Sequence, residues 1–202
     1  QFYNGGTGGN GSGPGTNYGV SFSSNSLALI DSDAGGSGNF GVVTHFEFRP
    51  HPVGPDVLSG LIVYPISAAK SVLRQYREFL AQAPDALSVW AVLRQAPPLP
   101  FLPEEVHGTG MIALALLYAE DPKLGEPLID PLRKFATPLG EHVGVQPYIA
   151  WQQAFDPLLT PGARNYWKSH NFSTLQDGLF DAVIESIENL PSPQCEIFFG
   201  AI

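Results

Sequence analysis

Cysteine is almost missing from this chain. Cys195 is the single one in 202 residues, so no internal disulfide can form, and the residue reads as a buried, inert thiol in a strand. Basic residues are scarce as well. Ten Lys and Arg against 19 Asp and Glu leave a formal net charge of -9, which argues against nucleic acid or an anionic membrane surface as partner. No apolar run approaches the ~18 residues of a membrane span, and no charged n-region with an apolar h-region opens the chain. The glycine-serine nucleophile motif is absent, as is any Ser-His-Asp arrangement. Glu104, Glu105 and His107 lie close together, but their spacing matches no zinc pattern; Asp31 and Asp33 lack the remaining positions of a calcium loop. No metal is expected.

What the chain does have is glycine (22 residues), proline (19) and enough apolar residues, 44% against 14% charged, to fold around one core. The distribution is uneven. Residues 1–37 are rich in Gly, Ser and Asn and lack Lys, Arg and Glu; this segment is expected to be partly disordered, with short strand patches at 18–22 and 26–30. Residues 38–202 form the expected domain. Strands are predicted over 42–48, 57–64, 87–94, 111–118, 164–172 and 194–199, the fourth apolar enough to be central. Helices are predicted from Ser67 to about Gln82, from Asp121 to about Phe135, over a short segment at Tyr148, and from Ser173 or Asp177 to Leu190. Between them, Gln95 to Gly110 is a loop crowded with Pro97, Pro98, Pro100 and Pro103. That order predicts an α+β fold: a largely antiparallel sheet with helices on one face and the other face free.

Two stretches could carry chemistry. The first runs from Gly35 to Phe48, a glycine cluster entering a β-branched strand. Glycines there allow positive φ and let backbone N–H groups approach a ligand, yet a plain hairpin or linker has the same pattern. The second is Arg164-Asn165-Tyr166-Trp167-Lys168-Ser169-His170. As a strand it puts Arg164, Tyr166, Lys168 and His170 on one face, which suits a pocket wall or, equally, a solvated edge strand. Tyr148, Trp151 and Gln152 recur at helical spacing and either line the same cavity or pack in the core.

GGSGNFGVVTHFEF resembles the segment that closes the flavin domain of FAD-linked oxidases in the vanillyl-alcohol oxidase / p-cresol methylhydroxylase superfamily, berberine-bridge-like branch. HPVGPDVLSGLIVYP, LPFLPEEVHG, PYIAWQQAFDPLLTPGARNYWKSHNF and LPSPQCEIFFGAI are similar to the substrate domain that follows in those enzymes. The resemblance implies FAD as cofactor, a small organic substrate that gives hydride to flavin, and a cytoplasmic location. It implies that Gly36, Gly38, Asn39, Phe40, Gly41, Val42 and Val43 hold the cofactor by their backbone, and that Tyr166, Lys168, His170 and Trp151 face the substrate. It names no catalytic base, and it implies a domain incomplete at both ends, which by itself binds flavin weakly or not at all. YGVSFSSNSLALIDSDAGGSGNF resembles instead part of the exported bacterial surface proteins with a PEP-CTERM sorting signal. The two likenesses meet in GGSGNFG, as in a composite chain, and the second implies a non-enzymatic protein at the cell surface. A standalone small-molecule binder is the third reading.

Overall fold

The computed structural model describes residues 18–19, 51–158, 162, 166 and 168–200. Tyr18–Gly19 (β1) pairs antiparallel with His51–Pro52 (β2). The main sheet contains β3 (Asp56–Pro65), β4 (Leu87–Gln95), β5 (Gly110–Tyr118), β6 (Gly140–Pro147) and β7 (Glu196–Gly200). Its order is β6-β3-β5-β4-β7, and every neighbouring pair is antiparallel. The expected strand over 42–48 lies outside the described residues, as do most of residues 1–37.

Alternation of side chains along each strand sorts the residues onto two faces. Leu58, Ile62 and Tyr64 of β3 share one face with Val89, Ala91 and Leu93 of β4 and with Ile112, Leu114 and Leu116 of β5. All are buried in the main core. Three helices cover this face, as the α+β reading requires. Helix α1 (Ala69–Leu80) buries Ala69, Val72, Leu73 and Tyr76 at 3/4 spacing, and α4 (Asp177–Glu188) buries Phe180, Val183 and Ile187. Helix α2 (Pro122–Ile129) comes so close that a Cβ on Gly125 would stand 2.6 Å from a Leu58 methyl and 2.8 Å from the Tyr118 ring. Its start is the one read from sequence: the Asp121 carboxylate accepts from the Lys123 N–H, with Pro122 in the first turn.

Several boundaries differ from the sequence reading. Ser67 caps nothing; it sits in a 3-10 turn (Ile66–Ala68) that leads into α1. The helix expected to reach Phe135 stops at Ile129 and resumes as a single 3-10 turn, Leu132–Lys134, because Pro131 cannot continue the ladder. Gln176 occupies the N-cap of α4 and makes no side-chain cap; Asp177 is instead spent on Arg74 (2.6 Å) and Arg77 (3.0 Å), pinning α4 to α1. Strand β6 was not anticipated at all. The strand expected over 164–172 is not formed at residues 166 and 168–172, which carry neither helix nor strand. Cys195, expected to be buried, is half-buried just before β7. Among the described residues no helix is long and apolar enough to cross a membrane.

Candidate functional site: the half-open face of the sheet

The second face of the sheet is only partly free, a correction to the sequence reading. Val63, Met111 and Ala113 lie under the proline-rich loop, where they pack with Ala96 and Leu102 and against Leu99, Phe101, Val106 and Leu139. Gly140 makes this cover possible on the β6 side, since a Cβ there would come within 2.6 Å of the Phe101 carbonyl oxygen.

Beyond the loop the face is open. The register places His142, Leu61, Ala115, Trp90 and Gly200 in one row across all five strands. The next row is Gly144, Ser59, Leu117 and Ser88. Its floor is small or apolar, with Leu61, Ala115 and Leu117 half-buried, and a Cβ built on Gly144 would meet nothing within 4 Å. Aromatic pairs mark both sides. Trp90 stacks on Phe198 at 5.1 Å and 14°, and His142 stacks on Phe101 at 5.6 Å and 19°. Gly200 permits the first stack, because its missing Cβ would lie 3.1 Å from the Trp90 ring. Three strand spacings separate His142 from Trp90, roughly 14 Å. A planar ring system fits between them.

Polar groups on this face are few and separated. The Gln146 amide donates to the buried Ser59 hydroxyl (2.8 Å). At the far corner Arg94 pairs with Glu196 (2.8 Å) and donates to the Pro193 carbonyl, so its charge is already met. Next to it a hollow of about 470 Å³ is lined by Pro97, Pro98 and His107, whose buried Nε2 has no hydrogen-bond partner among the described residues. His142 is exposed and makes no hydrogen bond or ion pair among the described residues.

Of the cofactor and substrate residues inferred from sequence, Tyr166, Lys168, His170 and Trp151 are among the described residues. Gly36, Gly38, Asn39, Phe40, Gly41, Val42 and Val43 lie outside the described residues. Tyr166 is 83% exposed, with the Lys168 ammonium 5.8 Å from its ring centre, and His170 packs edge-on to Phe172. Without a strand they share no pleated face. Trp151, on the short helix α3 (Tyr148–Gln153), is 5% exposed and packs edge-on to Phe155. Its indole N–H is buried and has no hydrogen-bond partner among the described residues. On the same helix, burial raises the pKa of the Tyr148 phenol, and Gln152 donates to it. Sequence reasoning missed His142, Gly144 and Gln146 together, since all three belong to the unanticipated β6. The signal was present in Glu141 to Gln146, where Val143 and Val145 alternate with His142 and Gly144.

The fold and face define an α+β layer with one surface sealed by helices and the other part-roofed and flat. Among known proteins, the chain is 26% identical over 172 residues (84% of its length) to a protein of Dictyostelium discoideum named as an FAD-linked oxidoreductase. The match spans 35% of that protein, so the chain corresponds to about a third of it. No family model matches.

Proposed function

We propose that this chain is the substrate-side portion of an FAD-linked oxidoreductase of the vanillyl-alcohol oxidase / p-cresol methylhydroxylase type, and that its half-open face lies over the flavin ring. The carrying observation is that face: largely apolar, empty of side chain at Gly144 and bounded by two aromatic stacks. The residues fit a ring rather than a phosphate, because Arg94, the one cation on the face among the described residues, is already paired. Gly36, Gly38, Asn39, Phe40, Gly41, Val42 and Val43 remain the proposed backbone contacts of the cofactor. FAD supplies the hydride acceptor.

The chain's own part is to bind, orient and exclude water. Leu61, Ala115 and Leu117 provide a surface with no hydrogen-bonding side chain, which keeps water off a reacting C–H. Trp90 and the Phe101–His142 pair limit sideways movement of a flat ligand. Tyr166, Lys168, His170 and Trp151 remain the proposed substrate contacts. The substrate is a small organic molecule, and the location is cytoplasmic.

The test is a titration of the chain with FMN, followed by the indole N–H resonance of Trp90. Wild type is expected to show a saturable shift at Trp90. Gly144→Leu, whose Cβ would meet no atom within 4 Å, is expected to weaken it at least tenfold. A Trp90 signal indifferent to FMN, or a Gly144→Leu variant that binds as well as wild type, overturns the reading.

A further inference from the structure

Resting on that reading, we propose that His142 is the proton-carrying group of the open face: its imidazole takes the proton that a substrate hydroxyl gives up as the carbon beside it is oxidised. The residue stands in the same row as Leu61 and Ala115, at the edge of the floor, with a ring held flat against Phe101. Among the described residues it is the one titratable side chain in the open rows; the other two on this face, Arg94 and Glu196, pair with each other at the covered corner. Oxidation of an alcohol breaks C–H and O–H and forms C=O. The electron pair and hydrogen of C–H go to the flavin, and the O–H proton goes to a free imidazole nitrogen, so atoms and charge balance.

Among the described residues, no group packed against β6 competes for that proton. Glu141 points to the opposite face and is held by Arg133 (2.8 Å), while Asp56 of β3 stands opposite Pro147 on that same helix-side face. The partner directly across is Leu61. From the covering loop the contact is Phe101, with Glu104 and Glu105 exposed in a 3-10 turn further on. Helix α3 contributes Tyr148, whose hydroxyl is occupied by Gln152.

The proposal is read in imidazole titrations rather than turnover. Histidine-labelled chain is titrated against pH by NMR in saturating oxidised FMN and in saturating dithionite-reduced FMN, with His142→Gln assigning the resonance. Reduced flavin carries an added negative charge. If it lies against His142, the imidazolium is favoured and the His142 midpoint rises on the order of one pH unit between the two states. His45, His51, His107 and His170 stay put. Gly144→Leu should abolish the difference. Trp90 responding to FMN while the His142 midpoint is the same in both redox states overturns this proposal and leaves the reading of the face standing. If Trp90 does not respond, both fall together.

Discussion

Gly60 and Gly144 are both glycines of the β3–β6 pair, and they answer to different causes. At Gly60 φ is +154°, and a Cβ would stand 2.0 Å from the His142 carbonyl oxygen and 2.6 Å from the Val143 Cα. Both are backbone atoms, so a methyl group must push β6 off its neighbour. Gly60→Ala is therefore expected to cost ~2–5 kcal/mol in urea unfolding, among the larger single-residue effects. Gly144→Ala meets no atom and should stay within about 0.5 kcal/mol of wild type. Equal effects at the two positions would contradict the register that puts His142 beside Leu61. On the other face, Tyr76 donates to the carbonyls of Val89 (2.9 Å) and Phe199 (3.2 Å) from a fully buried position, and burial drives its pKa well up. Tyr76→Phe keeps the packing and removes the donor, so it should lose about 1 kcal/mol. Tyr64, whose phenol is pushed up to about 12 by burial and then by Glu141, donates to the Leu132 carbonyl and fixes the turn after α2 in the same way.

At the scale of elements, two charged clamps join separate pieces of the fold, one local in sequence and one spanning about 100 residues. Arg133 reaches Glu126, Asp130 and Glu141, tying the turn after α2 to the edge strand β6. Asp177 joins α4 to α1 through Arg74 and Arg77; its hydrogen bonds to Arg74 and then Arg77 lower its pKa below the usual carboxylate value. A carboxylate depressed in the folded state stabilises above its unfolded pKa, and that contribution disappears as pH falls through the folded value. Wild type and Asp177→Asn are thus expected to differ in urea midpoint at pH 7 and to converge as the pH drops below the ordinary carboxylate range near ~3.9. A gap that persists in acid would mean the residue acts through packing. The sequence made α1, α2, α4 and the central strands readable because their apolar periodicity is strong, as in Met111 to Tyr118. It hid β6 because an edge strand with both faces only half-covered needs no apolar run: Glu141, His142 and Gln146 occupy positions where Val or Ile would have announced it. It suggested a strand over 164–172 because alternation of polar and aromatic residues looks pleated whether or not a neighbour exists to pair with.

The whole molecule is asymmetric: one side of the sheet is finished and the other is half built. Composition and element order were enough to foresee the finished side, since helices amphipathic at 3.6 spacing must bury a stripe against something. The candidate site was legible only as a free face, because its rows join residues 59, 61, 88, 90, 115, 117, 142, 144 and 200, and nothing in sequence order brings these together. That geometry limits affinity. Cofactor-sized ligands bind tightly when about 70–90% of their surface is enclosed, whereas a flat floor covers one side of a ring. The described residues alone should therefore hold flavin no better than roughly the millimolar range, about 4 kcal/mol. Purified from cells, the 202-residue chain is expected to be colourless and to take up FMN only at high concentration. A yellow preparation with stoichiometric flavin would contradict that limit and the reading of the chain as one wall of a flavin site.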